Sequence, residues 1–109
     1  MKIAILIPTI YRPDGLRRSL QSLHDTTKHM DNVDAVVAAE NDDVDALTIA
    51  HEFRATFTTC EKYRNGPAEG WNSALKAAMD YDAYFTGSDD IEFTPGWLDE
   101  VLRVLNDEL

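Results

Sequence analysis

The sequence predicts a three-layer α/β/α fold: a mostly parallel sheet of about four strands with helices on both faces. Three observations predict it. The unbroken apolar run Ile3 to Ile7 suits a strand buried on both faces, and Val33 to Ala39, apolar but for Asp34, reads as a second strand. Segments with apolar residues at helical spacing follow the strand-like runs, so the two patterns alternate along the chain. Finally, the predicted strands lead into polar clusters at their carboxyl ends, where parallel sheets bind ligands.

The elements follow in order. Pro8 and Thr9 end the first apolar run, and Pro13 opens a helix at its first turn, where a missing N–H costs nothing. Leu16, Leu20 and Leu23 give that helix an apolar stripe, and Lys28 and His29 lie near its end, where positive charge suits the helix dipole. The second strand, Val33 to Ala39, runs into Glu40-Asn41-Asp42-Asp43. Asp43 then caps a short helix in which Val44, Leu47 and Ile49 to Phe53 are expected to be partly buried. Ala55 to Thr59, rich in β-branched and aromatic residues, reads as a third strand. Asn65-Gly66-Pro67 is loop chemistry, and a helix is expected from about Ala68 to Met79, with Trp71, Leu75 and Met79 along one side. Ala83 to Thr86 forms a short fourth strand that ends in Gly87-Ser88-Asp89-Asp90. Thr94 is expected to cap, and Pro95 to open, a last helix with Leu98, Val101, Leu102 and Leu105 on one face. The order β-α-β-α-β-α-β-α describes a Rossmann-like sheet with right-handed crossovers.

Composition narrows the function. The 109 residues fit a single domain spanning 1–109, with 44% hydrophobic and 28% charged residues, as in ordinary globular proteins. A formal net charge of −10 argues against nucleic acid and anionic membranes as partners. No apolar stretch approaches the roughly 20 residues that cross a bilayer, and the apolar start is too short for a signal peptide. The lone Cys60 excludes an intramolecular disulfide framework and a cysteine-based zinc site, and it fits a cytoplasmic location. His24, His29 and His51 lack metal-ligand spacing and read as structural or solvated.

Four clusters converge on the strand ends, and each has a plainer alternative. Asp89 and Asp90 repel one another as they leave an apolar strand, and a Mg²⁺ or Mn²⁺ ion would remove that repulsion. A hydrogen-bonded turn would also account for the pair. Pro8-Thr9-Ile10-Tyr11-Arg12 joins a strand to a helix whose free N–H groups favour anions; Tyr11 could stack on a base and Arg12 could pair with a phosphate. Alternatively, Arg12 bridges to Asp14 in a solvated loop. Glu40, Asn41 and Asp42 can bond ribose hydroxyls or a base edge, although helix capping claims at least one acid of that cluster. Asn65-Gly66 and the early helical Asn72 allow close backbone approach to a ligand, while Trp71 reads more readily as core than as a stacking platform.

In their order, these motifs resemble the family-2 glycosyltransferases of the GT-A fold. Pro8-Thr9-Ile10-Tyr11-Arg12 is similar to the Pro-Thr-Tyr-Asn-Arg stretch at the end of that family's first strand. Glu40-Asn41-Asp42 matches its acidic loop, Asn65-Gly66 with Asn72 its Asn-x-Gly loop and helix, and Ser88-Asp89-Asp90 its Asp-x-Asp-type motif, with Pro95-Gly96-Trp97-Leu98 following. The chain departs from the pattern at Ile10, where the family has an aromatic residue, at Trp71, where arginine is frequent, and at Ser88, where a further Asp is frequent. The resemblance implies the N-terminal, donor-binding half of such an enzyme, holding a nucleotide-diphosphate sugar of UDP or GDP type with Mn²⁺ or Mg²⁺. It implies that Asp89 and Asp90 bridge the metal to the diphosphate. Pro8, Thr9, Tyr11 and Arg12 would line the base and ribose site beside Glu40 to Asp42. The acceptor site and catalytic base belong to the second half of the family's fold. The alternatives are a non-catalytic nucleotide- or partner-binding module, and a homo-oligomer formed through an open sheet edge.

Overall fold

The computed structural model describes residues 2–27, 32–60 and 67–108. Its elements are β1 (Ile3–Pro8), α1 (Pro13–Thr26), β2 (Val33–Ala39), α2 (Val44–Glu52), β3 (Thr56–Thr59), α3 (Pro67–Ala77), β4 (Ala83–Thr86) and α4 (Trp97–Glu108). The four strands form one sheet in the order β3-β2-β1-β4. Every pairing is parallel: Ile3 stands beside Val33 and Ala83, and Val36 beside Thr56.

The sheet's two faces are filled differently. Ile3, Ile5 and Ile7 point to one face, where they pack with Leu16, Leu20 and Leu23 of α1, Ile49 of α2 and Leu98 of α4. The alternate residues Ala4 and Leu6 face the other way, under Ala74 of α3, Ala78 just beyond it, and Trp71. Strand order explains the split. The chain steps outward from β1 to β2 to β3, then returns past β1 to β4. Crossovers of one hand place the first two helices on one face and the returning helix α3 on the other. The small residues of α3 let it lie close to the alanines of β1 and β2.

Several expected details shift. In α3 the buried line is Ala74 and Ala78, while Leu75 and Met79 are exposed, Met79 at 67%. The helix starts at Pro67 and stops at Ala77, before Met79. In α2, Ala46, Ile49 and Ala50 are buried, and Val44 and Leu47 face solvent. Ala55 lies outside β3, because its N–H closes the end of α2 on the Ala50 carbonyl at 2.8 Å. Thr94 and Pro95 do not begin the last helix: a turn closed by Trp97 N–H to the Thr94 carbonyl (3.1 Å), with Gly96 at φ 86°, delays α4 to Trp97. That positive φ is available to glycine without penalty and interrupts helical geometry. His24 is half-buried against the Phe53 ring, 5.4 Å between centroids, rather than on the surface. Lys28 and His29 lie outside the described residues. No helix among the described residues is long and apolar enough to cross a membrane.

Candidate functional site

The sheet reverses its order beside β1, and a crevice opens there beyond the carboxyl ends of β1 and β4. A cleft of about 310 Å³ occupies it. Pro8, Ile10 and Trp71 give it apolar walls, and Thr9, Arg12, Ser88, Asp89 and Asp90 give it polar ones.

Asp89 is the hinge of this site. It is only 8% exposed, so its oxygens need partners. The Thr9 hydroxyl donates to Oδ2 at 2.8 Å, and the Arg12 guanidinium stands 3.7 Å from Oδ1. The bridge of Arg12 therefore runs to Asp89 rather than to Asp14. Packing holds the Asp89 backbone equally firmly. Ser19 Oγ donates to the Ser88 carbonyl at 3.3 Å, and the Phe93 N–H donates to Ser22 Oγ at 2.9 Å, tying the loop after β4 to α1. Gly15, in the first turn of α1, lies so close that a Cβ there would stand 2.7 Å from the Asp89 carbonyl oxygen. On the opposite wall the Trp71 indole N–H donates to the Gly87 carbonyl at 2.9 Å, so Trp71 both joins the core under α3 and lines the cleft. The start of α1 has no side-chain cap. Its first N–H groups add positive potential beside a carboxylate-rich cleft.

Asp90 differs from its neighbour. It is exposed, and it accepts a hydrogen bond from the Ser88 hydroxyl. That bond, with smaller help from its own backbone amide and the Arg12 charge, holds the Asp90 carboxyl below its ordinary value despite partial desolvation. Glu92 is turned away and pairs with Arg18 at 3.9 Å. Among the described residues, no group of three or more His, Cys, Asp or Glu side chains gathers as a metal cage. The carboxylates that could meet a cation in the cleft are those of Asp89 and Asp90.

A second cluster lies on the β2 side of β1. The Tyr11 hydroxyl donates to Asp42 Oδ1 at 2.5 Å, and the Tyr11 N–H donates to Asp43 Oδ2 at 3.2 Å. Asp43 Oδ1 accepts from the Ala46 N–H at 3.1 Å, so Asp43 is the cap expected for α2. Tyr11 has φ 49°, a left-handed backbone that costs a non-glycine residue about 1 kcal/mol. The Asp42 hydrogen bond, with burial and the charges of Asp42, Glu40 and Asp43 behind it, pushes the Tyr11 hydroxyl up to about 12. Glu40 is half-buried and Asn41 exposed in the same loop.

The predicted residues thus divide. Pro8, Thr9, Arg12, Asp89 and Asp90 line the cleft. Tyr11 and Asp42 form the adjoining cluster with Glu40 and Asn41, and Asn72 sits exposed on α3. Asn65 and Gly66 lie outside the described residues. The cleft also recruits Ile10, Trp71 and Ser88, and it depends on Gly15. A glycine within the first turn of a predicted helix was the available signal for the last.

A parallel sheet of this order, with its crevice between β1 and β4, has a Rossmann-like α/β architecture whose ligand site lies at the strand ends. No protein-family model and no curated protein sequence matches the chain. Among solved structures it superposes on S. aureus TarS, residues 1–349, with a TM-score of 0.85 and 20% identity over 98% of its length. The same S. aureus protein in complex with UDP-GlcNAc gives 0.84 at 20% identity, and in complex with UDP also 0.84 at 20% identity. The chain covers 98% of itself and about a third of the first of these TarS chains, 33%. At this identity the likeness is one of fold.

Proposed function

We propose that the chain binds a nucleotide-diphosphate sugar as the donor-binding part of a metal-dependent glycosyltransferase. The observation that carries this reading is the cleft at the switch point, where Thr9 and Arg12 from the end of β1 meet Asp89 and Asp90 from the end of β4. TarS, about a third of whose residues 1–349 this chain covers, is seen with UDP and with UDP-GlcNAc, which favours a UDP-type donor over a GDP-type one.

In this reading Asp90, with Asp89 beside it, holds Mn²⁺ or Mg²⁺. Such an ion, when bound, stabilises charge on a departing nucleoside diphosphate. Arg12 and the uncapped start of α1 orient the diphosphate, which a chain of net charge −10 would otherwise repel. Thr9 fixes the Asp89 carboxylate. Tyr11 with Glu40, Asn41 and Asp42 takes the nucleoside, and Asn72 flanks the site from α3.

Calorimetric titration with UDP and GDP, each with and without Mn²⁺, tests the reading. Binding that requires the metal is expected, and no binding under any of the four conditions would overturn it. A second reading, donor binding without sugar transfer, is favoured by one observation: the only carboxylates among the described residues of the cleft are Asp89 and Asp90, so none is left over as a base. Release of UDP from UDP-GlcNAc in the presence of candidate acceptors separates the two readings.

A further inference from the structure

Tyr11 sits in an awkward place for a bulky residue. Its backbone is left-handed, its ring is 54% exposed, and the chain must turn there from β1 into α1. Such a conformation persists when surrounding contacts over-determine it. The visible contacts are two: the hydroxyl on Asp42 and the backbone N–H on Asp43. They differ in kind. Asp42 is exposed, so water competes for its bond with the hydroxyl. Asp43 is 6% exposed and uses both carboxylate oxygens, one on Tyr11 N–H and the other on Ala46 N–H at the start of α2.

We infer that Asp43 is a positioning residue: through Oδ2 it holds the Tyr11 backbone in its left-handed turn, and so presents the Tyr11 ring and hydroxyl beside the cleft. The functional half of this inference rests on the donor-site reading above; the tether itself does not. A helix cap alone needs a single acceptor oxygen, and serine or asparagine supplies it as well as aspartate does. Here the two N–H groups, from different elements, meet different oxygens of one side chain, and among helix-capping side chains only a carboxylate offers two acceptor oxygens. Asp43 thus couples the loop after β1 to the start of α2. No other described side chain accepts from the Tyr11 N–H.

This division of labour gives a clean test. Asp43→Asn keeps one carbonyl oxygen for the cap but replaces the second acceptor by an NH₂ donor, and Asp43→Ser offers a single hydroxyl. Both preserve the cap and lose the tether. Ionisation of the Tyr11 phenol, read as the ultraviolet difference between each protein and its Tyr11→Phe counterpart, reports whether the Asp42 bond survives. The subtraction is required because the chain has four tyrosines and Tyr81 is also pushed up to about 12 by its bond to Asp34. The tether predicts that both variants bring the Tyr11 phenol down from about 12 towards 10, while the thermal midpoint stays near the parent's. It also predicts a roughly five- to tenfold weaker affinity for UDP with Mn²⁺, the size of one lost hydrogen bond. A purely structural cap, which both variants preserve, would leave the midpoint and the phenol alone. An unchanged phenol in both variants would overturn the inference. A shifted phenol with unchanged UDP affinity would remove Tyr11 from the nucleotide site and overturn its functional half. If the parent binds no UDP at all, the donor reading fails while the phenol still reports on the tether.

Discussion

The two sides of β1 carry similar side chains and treat them in opposite ways. Towards β4, Asp89 is 8% exposed and both its oxygens face protein groups, Thr9 and Arg12. Towards β2, the ring of Tyr11 is 54% exposed, and the Asp42 carboxylate it bonds is exposed too. A hydrogen bond removed from water is costly to leave unmade, whereas an exposed one exchanges readily with solvent. The β4 side is therefore a rigid floor, and the β2 side is a surface free to change partners on binding. Asp43, buried beneath that surface, is its one fixed point.

Substitutions can break this contrast. The largest effect is expected from Thr9→Val, which keeps the shape but leaves a buried carboxylate oxygen without its donor; unfolding by denaturant should show a loss of about 1–3 kcal/mol. Gly15→Ala comes next. Alanine gains about 1 kcal/mol in helix propensity, but its Cβ would meet the Asp89 carbonyl oxygen at 2.7 Å, so a net loss of about 1–2 kcal/mol is expected in the same measurement. Asp90→Asn, on an exposed residue, should change stability by no more than about 0.5 kcal/mol. It should nevertheless abolish the metal dependence of UDP affinity in calorimetry; retention of that dependence would remove Asp90 from the metal site.

Alkaline pH probes the β2 side most gently. Folding raises the Tyr11 hydroxyl from 10.0 to about 12, so between these values the folded chain holds more protons than the unfolded one. The resulting stability is full below pH 10 and is lost as pH rises towards 12. Tyr81, raised in the same way by Asp34, adds to the same window. Tyr11→Phe should flatten the fall of the thermal midpoint across that window, and Tyr11→Phe with Tyr81→Phe should flatten it further.

Much of the architecture was legible in the residues. Ile3 to Ile7 is an unbroken apolar run and forms a fully buried strand, Val33 to Ala39 is buried except at Asp34, and Leu16, Leu20 and Leu23 all reach 0% exposure as their spacing required. What failed was the choice of face where apolar residues run all round a helix. Leu75 and Met79 looked like core because they are large, but the residues that turn towards β1 and β2 are Trp71, Ala74 and Ala78. The start of α4 misled because Thr94-Pro95 is a good opening signal, and the positive φ of Gly96 overrides it. Within the site, the strand-end rule located Thr9, Arg12, Asp89 and Asp90, but local sequence could not pair Arg12 with Asp89. Nor could it place Trp71 in both core and cleft, since that role depends on the distance from α3 to the end of β4.

The strand order also sets a timetable. β1, β2 and β3 are neighbours both in sequence and in the sheet, so each can dock on the last across a single helical crossover. β4 must instead return to the far side of β1, and the Thr9–Asp89 hydrogen bond spans 80 residues. Contacts of such separation come late in folding, because the chain entropy they cost is recovered only once the rest is in place. The cleft is therefore expected to be among the last parts of the molecule to assemble. A ligand that binds across it would act as a clasp on the whole sheet, and hydrogen exchange in β4 would slow on its addition well before exchange in β2.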